Sequence, residues 1–305
     1  MILIAAVILV DIKQYLSPTP LNQPVRCGGI EVVEESTNPK YPVGAVVQGL
    51  VSMRTHNVYG PEDTPMLIDW TPQSKIPLTA YLSVFWITGG MTAMAGLTLP
   101  QLGNIKAGDV VLVSAAAGHV GQLCCQIARL KGAKKVIGVA GGKDNCDFLR
   151  DELKVDVAID YKKGNVEAAL KEAAPEGVNL YYDNTGGAIS DAAMKCMARF
   201  GRIVVCGLLS TYNNETSDPA KLNNYQNVLM DRLTIAGFVV SDHYADFPKF
   251  QSQLADWIKS GELIVPPVEF ENGFENTIRA LNRLLKGDKR PGTKMLVAVS
   301  PEPSA

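Results

Sequence analysis

The sequence carries almost no surplus of charge: 29 Lys and Arg stand against 31 Asp and Glu in 305 residues, a formal net charge of -2. A chain built to grip a phosphate backbone carries a basic excess, so nucleic acid is not an expected partner. Cysteine is sparse as well. The six, Cys27, Cys124, Cys125, Cys146, Cys196 and Cys206, form no C-x-x-C pair and are too few in so long a chain for a disulfide framework, which points to a reducing, cytoplasmic compartment. Long apolar runs are missing too. The opening run 1–10 is about half the ~20 residues of a membrane span and has no basic residue after the initiator, so it reads as a buried strand rather than an anchor or a signal peptide. No internal repeat occurs, and only the Pro/Ser tail after Ser300 is of low complexity. With 47% hydrophobic and 20% charged residues, disordered and fibrous classes are excluded, and the length suggests about two domains.

Up to about residue 75, short β-like runs such as 30–34 and 45–47 are cut by turn residues, with Pro18, Pro20, Pro24, Pro39 and Pro42 between them. This predicts a small β-barrel. From about residue 89, strand and helix alternate, the signature of a parallel sheet covered on both faces. The strands are placed at 110–114, 135–139, 157–160, 180–183, 202–206 and 233–238, and a helix at 121–130. After these come a predicted helix over 247–260, an amphipathic helix with Phe274, Ile278, Leu281 and Leu285 on one face, and a last strand at 295–299. That strand has no slot in the parallel sheet, so it is expected to return to the barrel. The expected fold is α/β: a doubly wound parallel sheet over 89–265, with a barrel domain made of 1–88 and 266–305.

The first strand of the alternating series runs into Ala115-Ala116-Ala117-Gly118-His119-Val120-Gly121, an A-x-x-G-x-x-G in strand-turn-helix context. Gly118 would let the backbone approach a pyrophosphate, Gly121 would let the helix pack on the strand, and the helix N-terminus would offer N–H groups. The alternative is a tight turn that binds nothing; the position at the head of a βαβ series favours a dinucleotide. The second strand ends Val139-Ala140-Gly141-Gly142-Lys143 with no acid at its tip, and a cation there favours NADP over NAD. Asp144 could still reach a ribose hydroxyl, and Lys143-Asp144 could be an ordinary solvated turn.

The stretch 113–150, followed by Asp160-Tyr161-Lys162, Asp183-Asn184-Thr185-Gly186-Gly187, Cys206-Gly207-Leu208-Leu209-Ser210-Thr211-Tyr212-Asn213 and Gly237-Phe238, resembles one group of the medium-chain dehydrogenase/reductases: the zinc-independent alkenal double-bond reductases and prostaglandin reductases. The likeness spans about 90–257 and is weaker on either side. It implies a GroES-like barrel with a Rossmann domain, NADP(H) as cofactor, reduction of the carbon-carbon double bond of a small enone or enal, and a homodimer, with sheet-edge pairing around 233–240. With the glycine loop it puts Ala117, Gly118, Val120, Gly121, Gly141 and Asn184 at the cofactor, with Lys143 as the cation at the strand tip, and it sets Tyr161 at the 2′-phosphate. It sets Thr92 near the nicotinamide ribose or amide, and the backbone of Cys206-Gly207 and Phe238-Val239 around the nicotinamide. Tyr212 would lie against the ribose and the substrate carbonyl.

The chain departs from the group's pattern in three places. Asn145 stands where the 2′-phosphate lysine belongs, so Lys143 would substitute from two residues upstream. The D-P-Y-M-R element appears as Thr19-Pro20-Leu21-Asn22-Gln23, and the C-terminal G-x-N-x-G-K becomes 287–294 without its asparagine. The N-terminal segment is also shorter than is usual in the group.

The barrel segment offers only Cys27 and His56 as zinc ligands, so no metal is expected. Without a Lewis acid, a conjugated enone accepts hydride more readily than an isolated carbonyl, because charge collects on an enolate oxygen that a hydrogen-bond donor can meet. Tyr212, a neutral phenol, is the candidate catalytic donor; taken alone it would read as a surface-loop tyrosine. His119 reads as a spacer, His243 as a loop residue, and Cys124 and Cys125 as core packing. Quinone reduction, and cofactor binding without turnover, remain the two alternatives.

Overall fold

The computed structural model describes residues 22–71, 73–211 and 222–299. They group into two compact units, one ending at Thr88 and resuming at Val265, the other Gly89–Ile264.

The larger unit is built on a six-stranded sheet, all parallel, in the order β6-β5-β4-β7-β8-β9. Its strands are β4 (Val110–Val113), β5 (Lys135–Ala140), β6 (Val157–Asp160), β7 (Val178–Asp183), β8 (Met197–Val205) and β9 (Thr234–Gly237). Continuous runs such as Val-Val-Leu-Val are what a strand buried on both faces requires, and Leu112, Ile137, Val139, Tyr181 and Ile203 form the core with Leu170 of a covering helix. The connecting helices are α2 (Gly90–Thr98), α3 (His119–Leu130), α4 (Lys143–Asp147), α5 (Val166–Ala173), α6 (Gly187–Met194), α7 (Asn227–Met230) and α8 (Phe247–Ser260), after α1 (Ala80–Ser83) of the other unit. The predicted helix 247–260 is α8, opened by Pro248 and stopped by Gly261 in the left-handed region. Near the N-terminal end of the sheet, Arg202 of β8 donates to Asp109 at 2.6 Å and to the carbonyls of Gly103 and Asn104, an ion pair mostly shielded from solvent.

In the smaller unit β1 (Arg26–Val32), β2 (Val46–Ser52) and β3 (Met66–Ile68) form an antiparallel sheet, and β10 (Val268–Asn272) pairs in parallel with β11 (Lys294–Ala298). Leu296 of β11 packs with Ile30, Leu78 and Leu82, so the last strand shares a core with the first. Lys294 opens β11 and is 7% exposed. Its ammonium donates to the Thr88 hydroxyl at 3.0 Å, its backbone N–H to the Pro267 carbonyl, and no carboxylate among the described residues lies within 4 Å. Burial pushes its pKa down to about 7.

The amphipathic helix is α9 (Thr277–Lys286), but its inward face is not the predicted one. Thr277 and Ala280 are buried, whereas Ile278 and Leu285 are exposed and Phe274 lies in a 3₁₀ turn ahead of the helix. The rotation is set by Arg283, which bonds Glu269 and Glu271 of β10, and by Ala280, small enough to sit against Met295 and Val297. All six cysteines are free thiols. Among the described residues no helix is long and apolar enough to cross a membrane.

Candidate cofactor and active site

The sheet order changes direction at β4: β5 and β6 lie on one side and β7 to β9 on the other, so the crevice at the carboxyl ends of β4 and β7 is the place where an open α/β sheet receives a ligand. The tips of all six strands carry residues the sequence singled out.

After β4, Ala115 adopts a positive φ of 47° and turns the chain into α3, whose N-cap is Gly118. No side chain caps this helix and no acid occupies its first turn, so its leading N–H groups are unopposed by negative charge. A Cβ at Gly121 would lie 2.3 Å from the Ala115 carbonyl oxygen and 2.8 Å from Ala116 Cα, which makes glycine obligatory where helix meets strand. Ala117 is buried, while Gly118 and Val120 are half-buried at the rim. The arrangement is a backbone cradle of the kind that takes a pyrophosphate, and it fits a dinucleotide.

At the tip of β5, a Cβ on Gly141 would lie 2.7 Å from the Tyr161 ring, so the ring rests on the glycine backbone. Tyr161 follows β6, whose last residue, Asp160, is paired with Ala140. The Asp160 carboxylate accepts the N–H of Gly142 at 2.8 Å and of Lys162 at 3.0 Å, which ties the two tips together. These backbone bonds, with smaller help from Lys163 and Lys162, hold its pKa below the usual carboxylate value. Lys143 is exposed and its ammonium bonds Asp147 one helical turn on, which also receives Arg150. That bond raises the Lys143 pKa. Asn145 turns back and donates to the Gly141 carbonyl at 2.8 Å.

The centre of the crevice is organised by Asp183, a residue to which the sequence alone assigned no role. It ends β7, is 3% exposed, and accepts from Tyr181 OH at 2.8 Å, the N–H groups of Thr185 and Gly186 at 2.9 Å each, Ser114 Oγ at 3.2 Å, and Ser190 Oγ. Its backbone carbonyl accepts Cys206 N–H at 2.8 Å and Gly207 N–H at 3.1 Å. The Asn184 amide meanwhile donates to the Ser114 carbonyl, and its N–H to Ser114 Oγ. One aspartate and one serine therefore fix the loops after β4, β7 and β8. The only sequence signal was an acid closing the run Leu180-Tyr181-Tyr182-Asp183.

Thr92 on α2 is buried and its carbonyl accepts the Tyr182 hydroxyl at 2.9 Å, so α2 is moored to the strand beside Asp183. The Cys206 thiol also meets the Tyr182 hydroxyl, and burial pushes its pKa to about 11, which keeps it protonated near neutral pH. Phe238 and Val239 are half-buried after β9, with the Phe238 ring 6.4 Å from that of His243. Thus Ala117, Gly118, Val120, Gly121, Gly141, Tyr161, Asn184, Cys206, Gly207, Phe238 and Val239 stand at the carboxyl ends of one sheet. The Lys143 ammonium is instead engaged with Asp147, and Tyr212 lies outside the described residues. Among the described residues no three His, Cys, Asp or Glu side chains come together as a metal site.

A family model described as zinc-binding dehydrogenase matches residues 120–257. The 2-alkenal reductase (NADP(+)-dependent) of Nicotiana tabacum is 33% identical over 289 residues, covering 94% of this chain and 81% of that protein. Prostaglandin reductase 1 of Bos taurus is 37% identical over 258 residues, covering 84% of this chain and 76% of its own. Among solved structures, CurA from Vibrio vulnificus in complex with NADPH superposes with a TM-score of 0.84 at 29% identity, covering 96% of this chain and 85% of that one.

Proposed function

Because the chain belongs to the medium-chain dehydrogenase/reductases, in the group that holds the alkenal and prostaglandin reductases, we propose that it is an NADPH-dependent reductase of the carbon-carbon double bond of small enones or enals, working without a metal. The observation that carries the cofactor is the cradle at Gly118 and Gly121, joined to a β5 tip whose own residues, Gly141 and Gly142, carry no acid, with Gly141 under a tyrosine ring.

NADPH, when bound, supplies the hydride. The chain's part is to hold and orient. The first turn of α3 and the Gly118 backbone would receive the pyrophosphate, and Tyr161 with the β5 tip the adenosine ribose phosphate. The Asp183 bond network keeps Cys206-Gly207 at a fixed height beside Asn184, where the nicotinamide would rest. Addition at the β-carbon of an enone moves charge onto the carbonyl oxygen. Tyr212, four residues past Leu208 in the sequence, donates the hydrogen bond that meets it, and a proton from water completes the saturated product at the α-carbon. Metal-free chemistry is supported by the donor set: Cys27 is buried with its thiol pushed up to about 12, and His56 is exposed beside Glu34.

A homodimer is part of this reading. β9 is an edge strand with Thr234, Ile235 and Gly237 exposed, and Phe200, Leu229 and Met230 nearby in the chain's fold are exposed apolar residues, so a second β9 would continue the sheet. Six free thiols suit a reducing cytoplasmic compartment.

The test is NADPH oxidation followed at 340 nm with a short enone and with a quinone, with product analysis. A saturated ketone supports the reading. An allylic alcohol overturns it, turnover confined to the quinone replaces it with quinone reduction, and tight NADPH binding without turnover on either leaves a binding protein.

A further inference from the structure

We propose that Lys162 and Lys163, rather than Lys143, supply the positive charge that selects the 2′-phosphate of NADPH. The inference rests on the NADPH reading and assigns the group that performs the selection in this chain.

The charges on the two sides of the Gly141-Gly142 turn differ. On the α4 side, Lys143 and Arg150 both bond Asp147, and Asp144 adds a second carboxylate beside them, so the four charges cancel. A phosphate arriving there would have to take Lys143 from a carboxylate already in contact with it. Asn145 adds no charge and is committed to the Gly141 carbonyl. On the β6 side two ammonium groups face a single carboxylate, Asp160. Asp160 is already engaged by two backbone N–H groups, and no carboxylate among the described residues lies within 4 Å of either lysine ammonium. A net positive charge remains at this tip.

Position supports the same assignment. Asp160 accepts both Gly142 N–H and Lys162 N–H, so the lysines are held at the β5 tip by the backbone rather than by their own flexible stems. Lys163 is near enough to Asp160 to help hold its pKa down, and near enough to Cys146 of α4 to offset part of the rise that burial gives that thiol, which places its charge between β6 and α4. That space is open: Gly142 has φ of 90° and nothing within 4 Å of where its Cβ would be. Tyr161, immediately before the two lysines, covers Gly141. A dianion seated on Gly142 would meet the tyrosine hydroxyl on one side and the two ammonium groups on the other.

The experiment compares binding of 2′,5′-ADP and 5′-AMP by calorimetry, and of NADPH and NADH by nicotinamide fluorescence, for the full chain and for Lys162→Ala/Lys163→Ala, Lys143→Ala and Lys162→Arg/Lys163→Arg. The double alanine variant is expected to bind 2′,5′-ADP and NADPH roughly 10- to 100-fold more weakly with 5′-AMP and NADH unchanged, the range set by losing charge-assisted bonds. Arginine at both positions is expected to restore binding, and Lys143→Ala to cost several-fold less than the double alanine. Equal losses for phosphorylated and unphosphorylated ligands, or a loss confined to Lys143→Ala, would overturn the assignment. If the unaltered chain itself shows no preference for NADPH, the NADPH reading fails first and this inference with it.

Discussion

Replacing Lys294 by methionine should stabilise the protein, and by more at pH 6 than at pH 9. The lysine is 7% exposed with one hydroxyl partner, and burial takes its pKa from 10.5 to about 7. At about 1.4 kcal/mol for each tenfold change in proton affinity, the buried cation costs on the order of 4–5 kcal/mol wherever both folded and unfolded chains carry the proton, that is below about pH 7. Between pH ~7 and ~10.5 the folded chain has released a proton that the unfolded chain still binds, so stability rises with pH and about 2 kcal/mol of the cost remains at pH 9. Methionine has no such dependence, and the loss of the Thr88 bond, about 1 kcal/mol, is the same at every pH. The advantage of the variant should therefore shrink by about 2–3 kcal/mol from pH 6 to pH 9. Urea unfolding followed by tryptophan fluorescence reads this well, since Trp70 and Trp86 lie in the same unit as Lys294. Stability curves that run parallel, within about 0.5 kcal/mol across that range, would refute the reasoning.

Three further outcomes are expected. Asp183→Asn turns one of the acceptor oxygens of this donor cluster into an NH2 group, so it should lower stability by about 3–4 kcal/mol in thermal melts and weaken NADPH binding; a loss below about 1 kcal/mol would mean that the network does not hold these loops. Gly121→Ala pushes a methyl to 2.3 Å from the Ala115 carbonyl oxygen, and fluorescence titration should show NADPH affinity falling at least ~100-fold while the far-UV circular dichroism is kept. Tyr212→Phe should reduce kcat about 100-fold and leave the NADPH Kd within about threefold, and unchanged turnover would remove the tyrosine from the mechanism.

The parallel sheet was legible because strands covered on both faces must be written as unbroken apolar runs, and each of the six expected strands lies within a few residues of the observed one. The antiparallel sheet was harder to bound. The runs 30–34 and 45–47 mark only part of β1 and β2, which extend over Gly28, Gly29 and Gly49, and Gly29 and Gly49 sit opposite one another in register, where pairing outweighs local preference. The periodicity of α9 announced a helix without its rotation, which depends on Arg283 finding two glutamates of β10. In the site, the glycine loop was readable because its chemistry is local. Asp183 was not, since its partner Ser114 is 69 residues away in sequence and nothing in either neighbourhood names the other.

Asp109 and Asp183 stand at opposite ends of one sheet: the first holds Arg202 before β4 begins, the second gathers loops where β7 ends. The two tasks are physically separated, so an evolving lineage could remodel the segment beyond Ser210 without eroding the bond that ties β8 to the start of β4 across β7. Laboratory libraries confined to that stretch should be rich in folded members, whereas libraries that include Asp183 should be poor in them.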